Sequence, residues 1–235
     1  MKTFLLDGTA IPFDDGETVL HAALRAGRYI PHLCWDPRLS PHSSCRLCVV
    51  LVDGRPAASC TLPATKDQKI ESETPDLNQA RRELLQLLFT EGNHYCPSCE
   101  RSGDCKLQAS AYELGVQDNH FPHQFPDRAR DATHPDVFLD RDRCILCGLC
   151  VRASQALDHK GVFAIGSRGI AGSLIVDSPS GLLGDSRLAE GDQAVAICPV
   201  GALLKKRTGF AVPIGERTYD REPLSLVTLR RFANP

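Results

Sequence analysis

The stretch CILCGLC places Cys144, Cys147 and Cys150 two residues apart, and Cys198 follows much later with Pro199 after it. Three thiols so spaced leave one tight loop as a tripod. That geometry suits three irons of a cubane, and a distant Cys-Pro completes a [4Fe–4S] shell. A single zinc ion has little use for a third thiol so near, since its sites more often use two separated Cys-x₂-Cys pairs. Gly148 keeps the loop small enough for backbone N–H groups to point at sulfide. A protein with two such clusters would carry a cysteine four residues after Cys150, where Ser154 stands. The spacing therefore predicts one cluster in this part of the chain.

Cys34, Cys45, Cys48 and Cys60 form a second set, C-x₁₀-C-x₂-C-x₁₁-C. Plant-type [2Fe–2S] proteins use C-x₄-C-x₂-C with a distant fourth cysteine. The first gap is longer in this chain, but the order hairpin, helix, cysteine loop, hairpin agrees. Four thiolates alone leave zinc open as an alternative.

The third set is His94, Cys96, Cys99 and Cys105 within EGNHYCPSCERSGDCKLQ. CPSC alone would suggest a redox dithiol, but no βαβ context precedes it and Cys105 would go unexplained. Zinc held by three thiolates and an imidazole is chemically sound. Two neighbouring iron–sulfur patterns favour a third cluster, of the [4Fe–4S] type. An imidazole in place of a thiolate removes negative charge and raises such a cluster's potential. No set leaves an evident vacant ligand position, so the chemistry they point to is electron transfer, and no catalytic residue is expected.

The rest of the composition is consistent with that role. All 11 cysteines of the 235 residues are assigned, and an odd count argues against a disulfide framework. The formal net charge of −2 argues against nucleic-acid or membrane-surface binding. Lys205–Arg207 is too short a basic run to change that and reads as a solvated helix end. No apolar run approaches the roughly 20 residues of a membrane span. The N-terminus does not read as a signal peptide, because Asp7 and Gly8 interrupt its apolar stretch. The expected compartment is the reducing cytoplasm.

The elements that must position these donors follow from periodicity. Residues 2–13 read as a hairpin about Asp7-Gly8, and residues 49–62 as another about Asp53-Gly54. A helix carries Val19, Leu20, Ala23 and Leu24 on one face, with Gly27 as its stop. QKIESE could be a closing strand. A longer helix places Leu77, Ala80, Leu84, Leu87 and Leu88 at helical spacing and ends at Gly92. Residues 120–135 read as a linker with solvated histidines. Weak strand signals lie at 162–165 and 174–176. Residues 208–235 show little periodicity but many apolar side chains, as in a frayed end or a segment docked on a partner. The expected class is α+β, with units at 1–75, 76–130 and 131–207 and an extended docking tail at 208–235.

GETVLHAALRAGRYIPHLCWDPRLSPHSSCRLCVV, GNHYCPSCERSGDCKLQ and CILCGLC…CPVGAL, in that order, resemble the N-terminal iron–sulfur region of the large electron-transfer subunit of respiratory complex I. [FeFe] hydrogenases carry a similar array. The short form is similar to the diaphorase-side iron–sulfur small subunits of soluble NAD-reducing [NiFe] hydrogenases. This resemblance implies a β-grasp, plant-type ferredoxin-like domain, a small helical His/Cys₃ domain and a bacterial-ferredoxin-like [4Fe–4S] domain. It implies [2Fe–2S] on Cys34, Cys45, Cys48 and Cys60. It also implies [4Fe–4S] on Cys144, Cys147, Cys150 and Cys198, and a second [4Fe–4S] on Cys96, Cys99 and Cys105 with a histidine. Partners would be a flavin/NAD-binding diaphorase subunit and hydrogenase small and large subunits, which would hold FMN, NAD and the NiFe centre. The family often places its histidine four residues before the first cysteine, where this chain has Gly92. His94 can still reach, and His120 or His123 stay open as alternatives.

Two other readings compete. One is an equivalent subunit of another NAD(P)-linked complex, such as a formate dehydrogenase or a complex I relative. The other is a zinc-stabilised interaction module without redox function.

Overall fold

A computed structural model describes residues 2–125 and 127–233. Asp7 and Gly8 both take positive φ (47° and 78°), as a two-residue hairpin turn of this hand requires, and join β1 (Lys2–Leu6) to β2 (Thr9–Phe13). Asp53 and Gly54 repeat the device (48° and 78°) between β3 (Val49–Val52) and β4 (Arg55–Ala58). Between the hairpins lies α1 (Val19–Arg25), whose Thr18 hydroxyl caps the His21 N–H. Strand β5 (Lys69–Glu71) then inserts between the hairpins, parallel to β1 and antiparallel to β3, giving the order β2-β1-β5-β3-β4. Phe4, Leu6, Ile11, Val50 and Ile70 alternate inward and bury Val19, Leu20 and Leu24 of α1.

Thr74 caps and Pro75 opens α2 (Pro75–Glu91). From its buried face Arg81 donates to the carbonyls of Leu47, Val49 and Ser72 (3.1, 3.0 and 2.8 Å), fixing the helix to the first sheet. Helix α3 (Lys106–Glu113) follows the histidine–cysteine stretch. Next come β6 (Arg130–Asp131), β7 (Val137–Asp140), α4 (Leu149–Ala156), the hairpin of β8 (Phe163–Gly166) and β9 (Ser173–Val176), α5 (Gln193–Ala196) and β10 (Leu203–Lys205). They form a small sheet, β10-β7-β6, and a separate two-stranded one. Ser154 accepts the Val162 N–H (2.8 Å) from a buried position, so it braces α4.

Three expectations change. Residues 120–135 are not a simple solvated linker: they contain β6, and His134 is buried with its Nδ1 accepting the N–H groups of Asp136 and Val137. His123 is also engaged, its Nε2 on the Gly92 carbonyl (3.1 Å). Lys205 ends a strand rather than a helix, and the Lys206 ammonium donates to the carbonyls of Ala132 and His134. Residues 224–233 form α6 (Leu224–Ala233), which packs on α1 and α3 and stacks Phe232 on Trp35 at 5.7 Å. No helix among the described residues is long and apolar enough to cross a membrane.

One apolar core runs through Cys34, Cys45, Cys105, Cys147, Cys150 and Cys198. Residues from all three donor sets thus share the interior that joins the units.

Candidate iron–sulfur centres

The first set lies on the loop between α1 and β3 and just after β4. Ser43 and Arg46 take positive φ (59° each), so the loop curls back on itself. Cys34, Cys48 and Cys60 are at most 1% exposed. The Cys45 N–H points at Cys34 Sγ and the Leu33 N–H at Cys45 Sγ, each at 3.4 Å. The thiols of Cys34 and Cys45 lie within hydrogen-bonding reach of each other, as do those of Cys48 and Cys60. Two thiol pairs suit two irons. Hydrogen bonds from the Cys45 thiol and N–H outweigh burial and bring the Cys34 thiol down to about 5. Cys45 is pushed up by its pairing with Cys34 and by burial, and Cys48 by its pairing with Cys60 and by burial.

Cys144, Cys147, Cys150 and Cys198 line one pocket with Ile145, Leu174 and Val200. Leu146 and Gly148 at positive φ (51° and 67°) coil the loop. The N–H groups of Leu146, Leu149 and Val151 face the sulfurs of Cys144, Cys147 and Cys150. Burial pushes the Cys144 thiol up to about 11 and raises Cys147 and Cys150 too, so metal must displace protons that neutral pH leaves on them.

In the third set Cys105 is buried, and Cys96 and Cys99 are half-buried. His94 stacks edge-on against Phe89 at 5.5 Å, and its Nε2 is buried without a hydrogen-bond partner among the described residues. A buried ring nitrogen left open is what a metal ligand presents before metal arrives. Burial, then Arg143, His123 and Arg128, bring His94 down to about 4, so the ring is neutral. A Cβ added at Gly92 would lie 2.5 Å from that Nε2. The His94 ring therefore fills the space where a side chain at 92 would begin. His123 uses both ring nitrogens, on the Gly92 carbonyl and the Phe125 N–H, and His120 is exposed. Arg143 is in electrostatic contact with His94, Cys96 and Cys99 and is itself held by Glu100 and Asp140.

Among the described residues no three His, Cys, Asp or Glu side chains close around a single metal ion. The thiol pairs of the first set and the pocket-lining tetrad are donor arrangements that suit clusters.

The sets adjoin one another. Arg152 Nη2 donates to the Cys34 carbonyl (2.7 Å) and the Cys147 carbonyl (3.5 Å), while Nη1 reaches Ser40. The Ser44 hydroxyl also donates to the Cys147 carbonyl. On the other side, the Lys106 N–H meets the Pro199 carbonyl (2.8 Å). A Cβ at Gly201 would lie 2.9 Å from Cys99 Sγ. The Cys144–Cys198 set thus touches both of the others. Arg152, Arg143 and Gly201 do not stand out in the sequence, although Gly201 sits three residues after Cys198.

Comparison with known proteins accords with this geometry. A family profile described as a 2Fe-2S iron-sulfur cluster binding domain matches residues 1–75. The NADH-ubiquinone oxidoreductase-G iron-sulfur binding region matches 81–120, and a 4Fe-4S single cluster domain matches 137–204. The chain is 39% identical over 216 residues to the gamma subunit of the NAD-reducing hydrogenase HoxS of Cupriavidus necator, covering 92% of each chain. It is 32% identical to a subunit of the NADH-quinone oxidoreductase of Rickettsia prowazekii, but covers only 31% of that protein. A solved chain of an NAD+-reducing [NiFe]-hydrogenase in the H2-reduced state superimposes with a TM-score of 0.95 at 54% identity, over 98% of both chains.

Proposed function

The chain belongs to the family of the NAD-reducing hydrogenase HoxS gamma subunit, and from that premise we propose that it relays single electrons between a [NiFe] hydrogenase module and a flavin/NAD-reducing diaphorase module. Clusters bound at the three donor sets would supply one-electron redox chemistry. Cys34, Cys45, Cys48 and Cys60 would hold [2Fe–2S]. Cys144, Cys147, Cys150 and Cys198 would hold one [4Fe–4S], and His94, Cys96, Cys99 and Cys105 the other. His94 is favoured over His120 and His123 as the nitrogen ligand because only its ring combines burial with an unengaged nitrogen.

The contact of the Cys144–Cys198 set with both others is the observation that carries the relay. Arg152 pins the Cys34 loop to it, and the backbone at Gly201 abuts Cys99. That supports an electron path with this set in the middle. Buried thiols keep water from the ligands, and the inward N–H groups of the loops offset their negative charge.

This reading divides the chain into a β-grasp [2Fe–2S] domain at 1–75, a His/Cys₃ domain at 76–130, a ferredoxin-like [4Fe–4S] domain at 131–207 and a C-terminal segment at 208–235. Partners would be the diaphorase subunit, which holds FMN and binds NAD, and the hydrogenase small and large subunits, in the cytoplasm. The near-complete coverage of the hydrogenase relative favours this over a complex I role. The test is to mix the cluster-loaded chain with its diaphorase partner and add NADH anaerobically. The relay predicts reduced-cluster EPR signals within turnover time; clusters that stay oxidised would refute it.

A further inference from the structure

A polar cleft of about 300 Å³ lies between the ligand loops and α6, with Arg101, Lys106 and Arg231 on its walls beside Cys198 and Tyr219. Lys106 occupies a singular place. It directly follows Cys105, its N–H is bound by the residue after Cys198, and its side chain is in electrostatic contact with Cys147 and with Asp36 on the Cys34 loop. Lys106 thus adjoins the Cys105 set through its backbone, while its ammonium shares the cleft with Cys198 and acts on Cys147.

The acids of the cleft are engaged elsewhere. Asp36 is clasped by the Arg38 guanidinium, and Asp104 accepts the Thr218 N–H. Neither Lys106 nor Arg231 donates a side-chain hydrogen bond to another described residue, and Arg101, whose Nη2 reaches the Cys198 carbonyl (3.5 Å), leaves its Nε buried without a partner. With Arg38 paired to Asp36, three cations face the single carboxylate of Asp104, an excess of positive charge that further negative charge facing the cleft would stabilise. Cys198, the one cysteine on the cleft wall, would supply part of that negative charge as a thiolate ligand, and a bound cluster gains a further negative charge each time it is reduced.

We propose that Lys106, with Arg101 and Arg231 around it, sets the reduction potential of the two [4Fe–4S] sites by stabilising their reduced, more negative state. The effect acts through charge across the cleft and not through ligation. It rests on the reading that clusters occupy these sites.

The experiment is an EPR-monitored redox titration of the full cluster-loaded chain, with iron and acid-labile sulfide measured on every sample. Lys106→Met keeps the aliphatic stem and removes the charge. Its reduced-to-oxidised ratio for both [4Fe–4S] signals at fixed potential should fall about tenfold, or about 59 mV for a one-electron couple. Lys106→Arg should return the ratio toward that of the parent chain. Arg231→Gln lies on a helix that holds no ligand and should shift the same signals in the same direction by less. Unchanged midpoints in iron-replete Lys106→Met, or an equal fall in Lys106→Arg, would overturn the proposal. If Lys106→Met fails to hold its clusters, unchanged midpoints in iron-replete Arg231→Gln would overturn it instead. A parent chain lacking iron and sulfide would sink the relay reading itself, a distinct result.

Discussion

Replacing Gly201 with alanine isolates the closest approach between two of the donor sets. The added Cβ would lie 2.9 Å from Cys99 Sγ and 3.5 Å from Cβ and Cγ of Arg101. Non-bonded heavy atoms settle at roughly 3.5–4.0 Å, so the sulfur must retreat by about 0.6–1 Å. A free thiol could rotate away, but a sulfur bonded to iron and tethered by its own backbone cannot. Gly201 needs no positive φ, so backbone strain does not contribute. Overpacking of this size costs about 1–3 kcal/mol, roughly a five- to 150-fold loss in occupancy if it falls on the ligand. Gly191→Ala is the control, because a Cβ there meets nothing within 4 Å. The assay is iron per chain together with EPR of the reduced protein. Gly201→Ala should weaken or distort the signal of the His94–Cys105 site and leave the [2Fe–2S] signal intact. Full iron with three unaltered spectra would refute the claim that Gly201 is there to admit Cys99.

Three further outcomes follow from the same contacts. His94→Ala should lose iron from the middle stretch, His94→Cys should keep it at a lower potential because the shell gains negative charge, and His123→Ala should leave the site loaded; retention of all iron and all potentials in both His94 variants would remove His94 from the ligand set. Arg81→Met strands the carbonyls of Leu47, Val49 and Ser72 and should destabilise the chain by about 3 kcal/mol in denaturant titration, where a change below about 0.5 kcal/mol would contradict the bracing role. Arg152→Met frees the carbonyls of Cys34, Ser40 and Cys147, so amides of residues 34–45 should exchange about tenfold faster for each 1.4 kcal/mol lost, and unchanged exchange would argue that the two loops are docked by other contacts.

Much of this was legible in the chain because the deciding forces are local. Asp7-Gly8 and Asp53-Gly54 specify their turns by the positive φ they tolerate, and Thr74-Pro75 specifies a helix start. The tripod of Cys144, Cys147 and Cys150 is set by loop geometry within seven residues. What brings the sets together is not local. Arg152 reaches back more than a hundred residues to Cys34, and Gly201 approaches Cys99 through tertiary packing alone. The histidines of 120–135 mislead for the opposite reason. A proline-rich stretch lacks periodicity, yet His134 is buried because backbone N–H groups and the Leu188 carbonyl satisfy both its nitrogens. Helix α6 escapes notice because only Leu224 and Val227 are buried, while Leu229 and Phe232 are half-buried against the core of the first sheet through tertiary packing.

Iron, zinc and acid-labile sulfide per chain on anaerobically purified protein test the central claim most directly. One [2Fe–2S] and two [4Fe–4S] clusters predict about ten irons, about ten sulfides and no zinc. About six irons with one zinc would make the His94–Cys105 stretch a structural site and contradict the three-cluster relay.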